Sequence, residues 1–201
     1  MRLTVVAIAL VVAASTAAHA QAEWQVKAFI GPLFGASTTI RDLDEATGKA
    51  HTTYGASFTE LWEIFGVEAE IARTPGFFER EPTGQNLVLS SSLFSLTGSV
   101  IIALPRHIAG YGLRPYGVVG GGMLRAQYDD NLTVLPVSDT MGVINYGGGV
   151  TGFLSRRIGV NWDIRRVQSV GGYSLPPTFL QRADDQEELS FWRATFAIAI
   201  R

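Results

Sequence analysis

Strict alternation of apolar and polar side chains is the feature that most constrains this chain. Between Ile158 and Arg165 every even-numbered residue is apolar, and every odd-numbered residue is small or polar. Successive side chains of a β-strand point to opposite faces, so this run predicts a strand with one apolar face and one polar face. Charged residues make up only 17% of the chain and no helical Glu/Lys/Ala pattern appears, which also favours β structure.

The alternation recurs in eight segments along the chain. We predict strands over residues 24–35, 52–62, 65–73, 86–104, 113–126, 142–154, 158–168 and 191–200. Most are near the roughly 9–11 residues that a tilted strand needs to cross a bilayer. Long polar connections at 36–51, 74–85, 127–141 and 169–190 alternate with shorter links near Glu63, Pro105 and Ser155. Long loops on one side and short turns on the other are typical of an up-and-down membrane barrel with both termini in the periplasm.

The first twenty residues have the pattern of a cleavable signal peptide. Arg2 supplies a positive charge, residues 3–14 are apolar, and Ala18-His19-Ala20 is a small-x-small cleavage site. No later stretch offers 18 continuous apolar residues, so no spanning helix is expected. We therefore predict a signal peptide at 1–20 and a single domain at 21–201, with a retained N-terminal anchor as the alternative.

Cysteine content and charge exclude several classes of function. The chain has no cysteine, which removes disulfide frameworks, thiol catalysis and cysteine-based metal sites. Its formal net charge of −2 provides no basic excess for nucleic acid. The long loops are acidic, but no loop has the ordered ligand spacing of a Ca²⁺ or Mg²⁺ site, so no metal site and no cofactor are predicted.

Alternation alone does not say which face of the strands meets water. In the four clearest strands one face is free of charge, and the other carries Lys27, Glu68, Glu70, Asp163, Arg165 and Arg193. These are three charges of each sign, as a crowded interior requires, because unpaired buried ions are costly. The rest of that face is small, as at Ser95, Thr97 and Ser99, which suits the narrow interior of eight strands. We predict that the apolar face meets lipid and that the six charges form a structural network in the lumen, with the two glutamates facing the three cations.

Aromatic residues near strand ends support a membrane barrel. Interfacial or lipid-facing positions are predicted for Trp24, Tyr54, Trp62, Phe65, Trp162 and Trp192.

Two places fit the alternation of lipid-facing and lumen-facing residues less well. Glu60 has apolar parity and requires either an interfacial position or a β-bulge. The fifth strand is rich in glycine, and our prediction there is Tyr116, Val118 and Leu124 outward with Arg125 inward.

Several segments carry a resemblance to a known family at the level of pattern. They are WQVKAFIGPLFG, FGVEAEIARTPGFF, LRPYGVVGGGM, INYGGGVTGFLSRRIGVNWDIRR and FWRATFAIAI. Over residues 22–200 the chain resembles the small OmpA/OmpX-like outer-membrane β-barrels. The resemblance implies eight antiparallel transmembrane strands in the cell outer membrane, contact with outer-membrane lipid and lipopolysaccharide, insertion by the barrel-assembly machinery, and no enzymatic activity. Family members usually end on an aromatic residue, whereas this chain ends Ile200-Arg201, a departure that bears on assembly.

One glycine motif invites a different interpretation. Residues 147–152 match G-x-G-x-x-G, but a dinucleotide site requires a helix to follow, and here a turn and another alternating strand follow. We interpret these glycines as allowing tight curvature or letting large neighbours fold over them.

The leading hypothesis is a non-enzymatic barrel that stabilises the envelope or presents its long loops to a ligand or surface. One alternative is a barrel enzyme acting on lipid or peptide at the outer rim, with His51 as base beside Asp42, Asp44 or Ser57. The second is a soluble periplasmic barrel that binds an apolar ligand. The third is a small channel through the charged lumen.

Overall fold

A closed eight-stranded barrel is the whole of the described architecture. The computed structural model describes residues 22–38, 50–77, 88–105, 108, 112–130, 137–170 and 189–201. Its strands are β1 (Glu23–Thr38), β2 (His51–Leu61), β3 (Phe65–Pro75), β4 (Val88–Ala103), β5 (Leu113–Asp130), β6 (Val137–Phe153), β7 (Ile158–Ser169) and β8 (Leu189–Ile200). Each strand pairs antiparallel with the next, and β1 pairs with β8 to close the sheet. The predicted eight-stranded fold is confirmed; the predicted signal peptide lies outside the described residues.

The strands extend further on the side of the long connections than their sequences suggest. β5 continues to Asp130 and β6 begins at Val137, beyond the predicted limits of 126 and 142. The short connections 62–64, 104–112 and 154–157 define the opposite end, called here the turn end, where Glu23 and Arg201 also lie. Within the described segments, we find no helix with the length and apolar character needed to cross a membrane.

The apolar faces of the strands point away from the barrel axis. Trp162 is 53% exposed, whereas Arg165, which has the opposite parity in the same strand, is 2% exposed. On β1 the outward row runs from Trp24 to Phe34, and ten residue steps at ~3.3 Å with a tilt of about 40° cover roughly 25 Å. That height matches the apolar band of outer-membrane barrels.

The fifth strand corrects our predicted parity. Val118 and Leu124 are buried, at 5% and 0% exposure, and Tyr116 points into the lumen, while Arg125 is exposed. Between Val118 and Leu124 this strand contains the run Gly120-Gly121-Gly122, which has no side chains to mark a face. The prediction failed because the glycine run leaves no alternation to fix the parity, and because part of this lumen is apolar.

That apolar part of the lumen occupies the half nearer the long connections. A cluster of buried residues fills it: Leu33, Phe77, Leu93, Leu124, Ala126, Met141, Val143, Val167, Leu189 and Phe191. Phe77 is completely buried and packs at 6.2 Å, ring centre to ring centre, from Phe191. The charged residues lie below this core, and a smaller apolar cluster of Leu61, Ile101, Ala103 and Val118 lies nearer the turn end.

Glu60 keeps its outward parity because β2 has no bulge. Its pairings with β1 and β3 run without a register shift, so a reset of parity is excluded. Glu60 lies opposite Trp24 and Val67, one residue before β2 ends at the turn end. The half-exposed side chain thus occupies a height at which an interface, rather than mid-bilayer, is expected.

Tyr116 folds over a glycine of the neighbouring strand. Tyr116 and Gly149 are register partners of β5 and β6. A Cβ on Gly149 would overlap the carbonyl oxygen of Trp162 and would lie 2.7 Å from the Tyr116 hydroxyl oxygen. The glycine motif of β6 therefore makes room for a large side chain inside the barrel.

We expect Gly149→Ala to destabilise the folded barrel by about 1–3 kcal/mol, the usual cost of overpacking a filled interior. The measurement is the urea midpoint of the protein refolded into detergent micelles. Gly98→Ala is the matched control, because a Cβ there has no atom within 4 Å. Equal midpoints for the two variants would contradict the packing of Tyr116 over Gly149.

Candidate functional site: an ion-pair network across the lumen

Four strands place the six predicted charges inside the barrel. Lys27 comes from β1, Glu68 and Glu70 from β3, Asp163 and Arg165 from β7, and Arg193 from β8. Residues two apart in a strand share a face, so β3 and β7 each present two charges to the lumen. All six side chains belong to buried residues. In a ring of eight strands β3 and β7 are opposite one another, so contacts between them span the lumen.

Arg165 is the centre of this network. Its guanidinium forms two hydrogen bonds to Asp163, with Nε 2.6 Å from Oδ1 and Nη2 3.0 Å from Oδ2. On its other side Nη1 lies 2.7 Å from Oε1 of Glu68 and 3.5 Å from Oε2 of Glu70. One cation thus contacts three carboxylates from two opposite walls.

The other two cations complete the pairing of the glutamates. Lys27 donates from Nζ to Oε2 of Glu68 at 2.7 Å, and Thr59 donates its hydroxyl to the same oxygen at 3.0 Å. Arg193 Nη2 lies 2.7 Å from Oε1 of Glu70, with its guanidinium 5.2 Å from the centre of the Phe29 ring. Every charge of the network has an opposite charge in contact, which is what a water-poor interior demands.

Tyr116 and Asn161 extend the network with neutral hydrogen bonds. The Tyr116 hydroxyl donates to Oδ2 of Asp163 at 2.7 Å and accepts from Nδ2 of Asn161 at 3.0 Å. Asn161 also donates to the Thr151 hydroxyl at 2.8 Å. Sequence reasoning placed Tyr116 in lipid; the signal that could have found it is a tyrosine opposite a glycine in adjacent strands.

A second cluster of charges closes the turn end. Arg114 donates to the carbonyl oxygens of Leu104 at 2.9 Å and Trp62 at 3.1 Å, which ties two turns together. Arg201 forms an ion pair with Glu23 and donates to the carbonyl oxygen of Arg156. A cavity of about 280 Å³ is lined by this cluster together with Gln25, Leu61, Ala103, Gly112, Tyr116, Thr151 and Phe153. Sequence reasoning missed the cluster, because nothing local connects residues so far apart in the chain.

The four tryptophans are on the outer surface or at its rim. Trp24 and Trp162 are each 53% exposed, and Trp162 meets Phe196 edge-on at 5.4 Å between ring centres. Trp62 is half-buried in the turn after β2. Trp192 is also half-buried, with the Arg166 guanidinium 5.5 Å from its ring centre.

The described residues do not bring together the catalytic site of the enzyme alternative. His51 begins β2 and packs on Phe77 at 5.3 Å, whereas Ser57 is buried six residues further along the same strand, about 20 Å away. Asp42 and Asp44 lie outside the described residues. Among the described residues, no three His, Asp or Glu side chains are grouped as metal ligands. The G-x-G-x-x-G motif lies inside β6 and runs into the turn before β7, so it has no helix after it.

No family model matches this chain, and no curated protein matches it. Solved structures are similar in fold. Neisserial surface protein A superposes with a TM-score of 0.60 at 13% identity, covering 89% of this chain and 98% of that one. The outer membrane protein OprG from Pseudomonas aeruginosa superposes with a TM-score of 0.55 at 13% identity, covering 90% of this chain and 95% of that one. The fold is that of the small eight-stranded outer-membrane barrels, as the resemblance to OmpA/OmpX-like proteins predicted.

Glu68→Ala should lower the free energy of unfolding by about 3–5 kcal/mol without preventing membrane insertion. It leaves Arg165 and Lys27 short of a carboxylate, and breaking a buried pair strands an uncompensated charge. The measurement is the denaturant midpoint of the folded barrel in detergent. Arg157→Ala, at an exposed turn position, is the control. A Glu68→Ala barrel as resistant as the control would contradict the network's structural role.

Proposed function

We propose that this chain is a non-enzymatic outer-membrane barrel that stabilises the envelope or presents its long loops to a surface or ligand. The observation that carries the proposal is the combination of an outward apolar belt with an interior that is filled and charge-paired. A belt roughly 25 Å high matches a bilayer core, and a filled interior leaves the loops as the accessible surface. In this proposal the signal peptide directs export, the barrel-assembly machinery inserts the strands, and lipid and lipopolysaccharide surround them.

The outward belt argues against the soluble alternative. A soluble barrel with an apolar ligand would turn its apolar faces inward, yet Trp24, Ile30 and Phe65 are exposed by 53%, 56% and 57%. An exposed apolar surface around the whole circumference of the barrel would make the protein associate in water, because large exposed apolar areas drive association. Lipid is the solvent in which this surface is stable.

The filled interior argues against the channel alternative. A continuous path would pass through the Arg165 contacts to Asp163 and Glu68, and then through the apolar layer around Phe77. Eight strands normally leave an interior just wide enough for side chains.

The proposed location is tested by membrane fractionation followed by gel electrophoresis of unboiled and boiled samples. We expect the protein in the outer-membrane fraction, with an unboiled band that migrates differently from the boiled one because the folded barrel resists detergent. A deletion of residues 189–201 removes β8 and is the control, since the sheet cannot close without it. Recovery of the intact protein in the soluble periplasmic fraction would overturn the proposal.

The sealed interior is tested by conductance. In planar bilayers the intact barrel should give no discrete channel openings above background. The comparison is Arg165→Gly, which removes the side chain that bridges opposite walls. This variant loses the ion pairs to Asp163 and Glu68 and leaves the apolar layer in place. Regular openings of the unaltered protein would show that the interior conducts, and would replace the envelope role with a channel.

A further inference from the structure

The outward charges of the barrel are distributed unevenly. Among strand residues whose side chains the structure describes, the outward-facing charged ones are Glu60, Arg73, Arg125 and Arg166. Glu60 is at the turn end, and the three arginines lie in the half nearer the long connections. A cation on a lipid-facing surface is tolerated near an interface and costly at mid-bilayer, so these arginines mark the level of one set of headgroups.

Arg73 and Arg125 form a pair across β4. Both are register partners of Phe94, which lies between them, so they are separated by two strand spacings, ~9–10 Å. Both side chains are exposed. Neither guanidinium forms an ion pair or hydrogen bond with the part of the chain that the structure describes. Arg166 differs, because it contacts the Trp192 ring and donates to the Ser190 hydroxyl.

A groove surrounds this pair on the outer surface. It has a volume of about 600 Å³, and its lining includes Tyr54, Ile71, Ser92, Phe94 and Gln127 in addition to the two arginines. Ser92 and Gln127 are register partners, one outward row further from the turn end than Phe94. Hydroxyl and amide groups therefore lie beside the guanidiniums on the headgroup side.

A shallow trough continues from the groove toward the membrane centre. Ala69, Gly98 and Gly121 are register partners on β3, β4 and β5, two outward rows below the arginine pair. They lie between a row of Ile71, Leu96 and Met123 and a row of Val67, Val100 and Val119, all of which are exposed. Small residues between larger apolar ones leave a depression of acyl-chain character below two cations.

From these features we propose that the β3–β4–β5 surface binds a phosphorylated glycolipid of the outer leaflet. Arg73 and Arg125 bind phosphate groups of its headgroup, Ser92 and Gln127 bind sugar hydroxyls, and an acyl chain lies over Gly98. Guanidiniums hold phosphate through charge-assisted, bidentate hydrogen bonds, and two of them ~9–10 Å apart suit a headgroup with more than one phosphate. The inference rests on the proposed outer-membrane location. It adds a specific binding site to a surface for which the proposed function requires only general contact with lipid.

The test uses the full barrel in phosphatidylcholine nanodiscs that contain a small fraction of bisphosphorylated lipid A. Native mass spectrometry then measures the fraction of protein that retains one lipid A molecule. We expect retention to fall at least about tenfold for the Arg73→Gln/Arg125→Gln double variant, since it removes both charge-assisted contacts to phosphate. Arg166→Gln is the matched control and should retain lipid A as the unaltered protein does.

Two further arms identify the ligand chemistry and the trough. Monophosphorylated lipid A should be retained less than the bisphosphorylated form, and phosphatidylglycerol least. Gly98→Leu should reduce retention by filling the trough, and it should fold, because a side chain there meets open space. The site would be overturned if Arg166→Gln lost as much lipid A as the double variant, or if phosphatidylglycerol were retained as well as lipid A. It would also be overturned if both Gly98→Leu and the double variant retained lipid A fully.

The gel shift on heating separates this inference from the proposed function. Each variant is examined for the shift in the same nanodisc preparation. A barrel that shifts on heating but shows no preference for lipid A contradicts the glycolipid site and leaves the membrane location intact. A protein that neither inserts nor shifts contradicts both. If the double variant does not fold, Arg73→Gln alone and Gly98→Leu carry the test.

Discussion

The need to neutralise Arg165 organises the interior of this barrel. A guanidinium in a side-chain-filled lumen has little water to stabilise it, so carboxylates must reach it from the protein itself. Asp163 lies on the same strand as Arg165, and Glu68 lies on the opposite wall, so the ion pairs connect the two walls across the barrel. Tyr116 in turn holds Asp163, and Gly149 gives Tyr116 its space. A change at any of these positions is therefore felt by the others.

The outer surface and the interior of the barrel differ in polarity. Its outer surface is apolar over a height of roughly 25 Å, as a bilayer requires. Its interior carries the ion pairs in the middle and is apolar near the long connections, where Phe77 and Phe191 pack together, with a smaller apolar cluster around Leu61 nearer the turn end. The apolar layer adds burial in the usual sense, while the ionic layer supplies directional contacts that fix which side chain meets which. Together they occupy the lumen from the long connections down to the cavity at the turn end.

Much of the fold was predictable from parity. Strands such as β3 and β7 alternate strictly, so the inward placement of Glu68 and Arg165 follows from the pattern once lipid is assumed outside. The individual contacts were less accessible, since they depend on which strands face each other across a closed ring. The prediction for β5 failed where glycine removes the pattern and where Leu124 faces an apolar layer of the lumen. The turn-end contacts of Arg201 were missed because they connect residues that only closure of the sheet brings together.

Arg201 carries a consequence for the seam of the barrel. The strands that close the ring, β1 and β8, come from opposite ends of the domain, and their pairing includes a register shift between Phe34 and Ser37. At the other end of this seam Arg201 contacts Glu23, the backbone of the β6–β7 turn and the Phe153 ring. An open seam would expose two unpaired strand edges, and such edges recruit strands from other molecules. By joining β1 to the β6–β7 turn beside the end of β8, the contacts of Arg201 help to keep both edges of the seam paired.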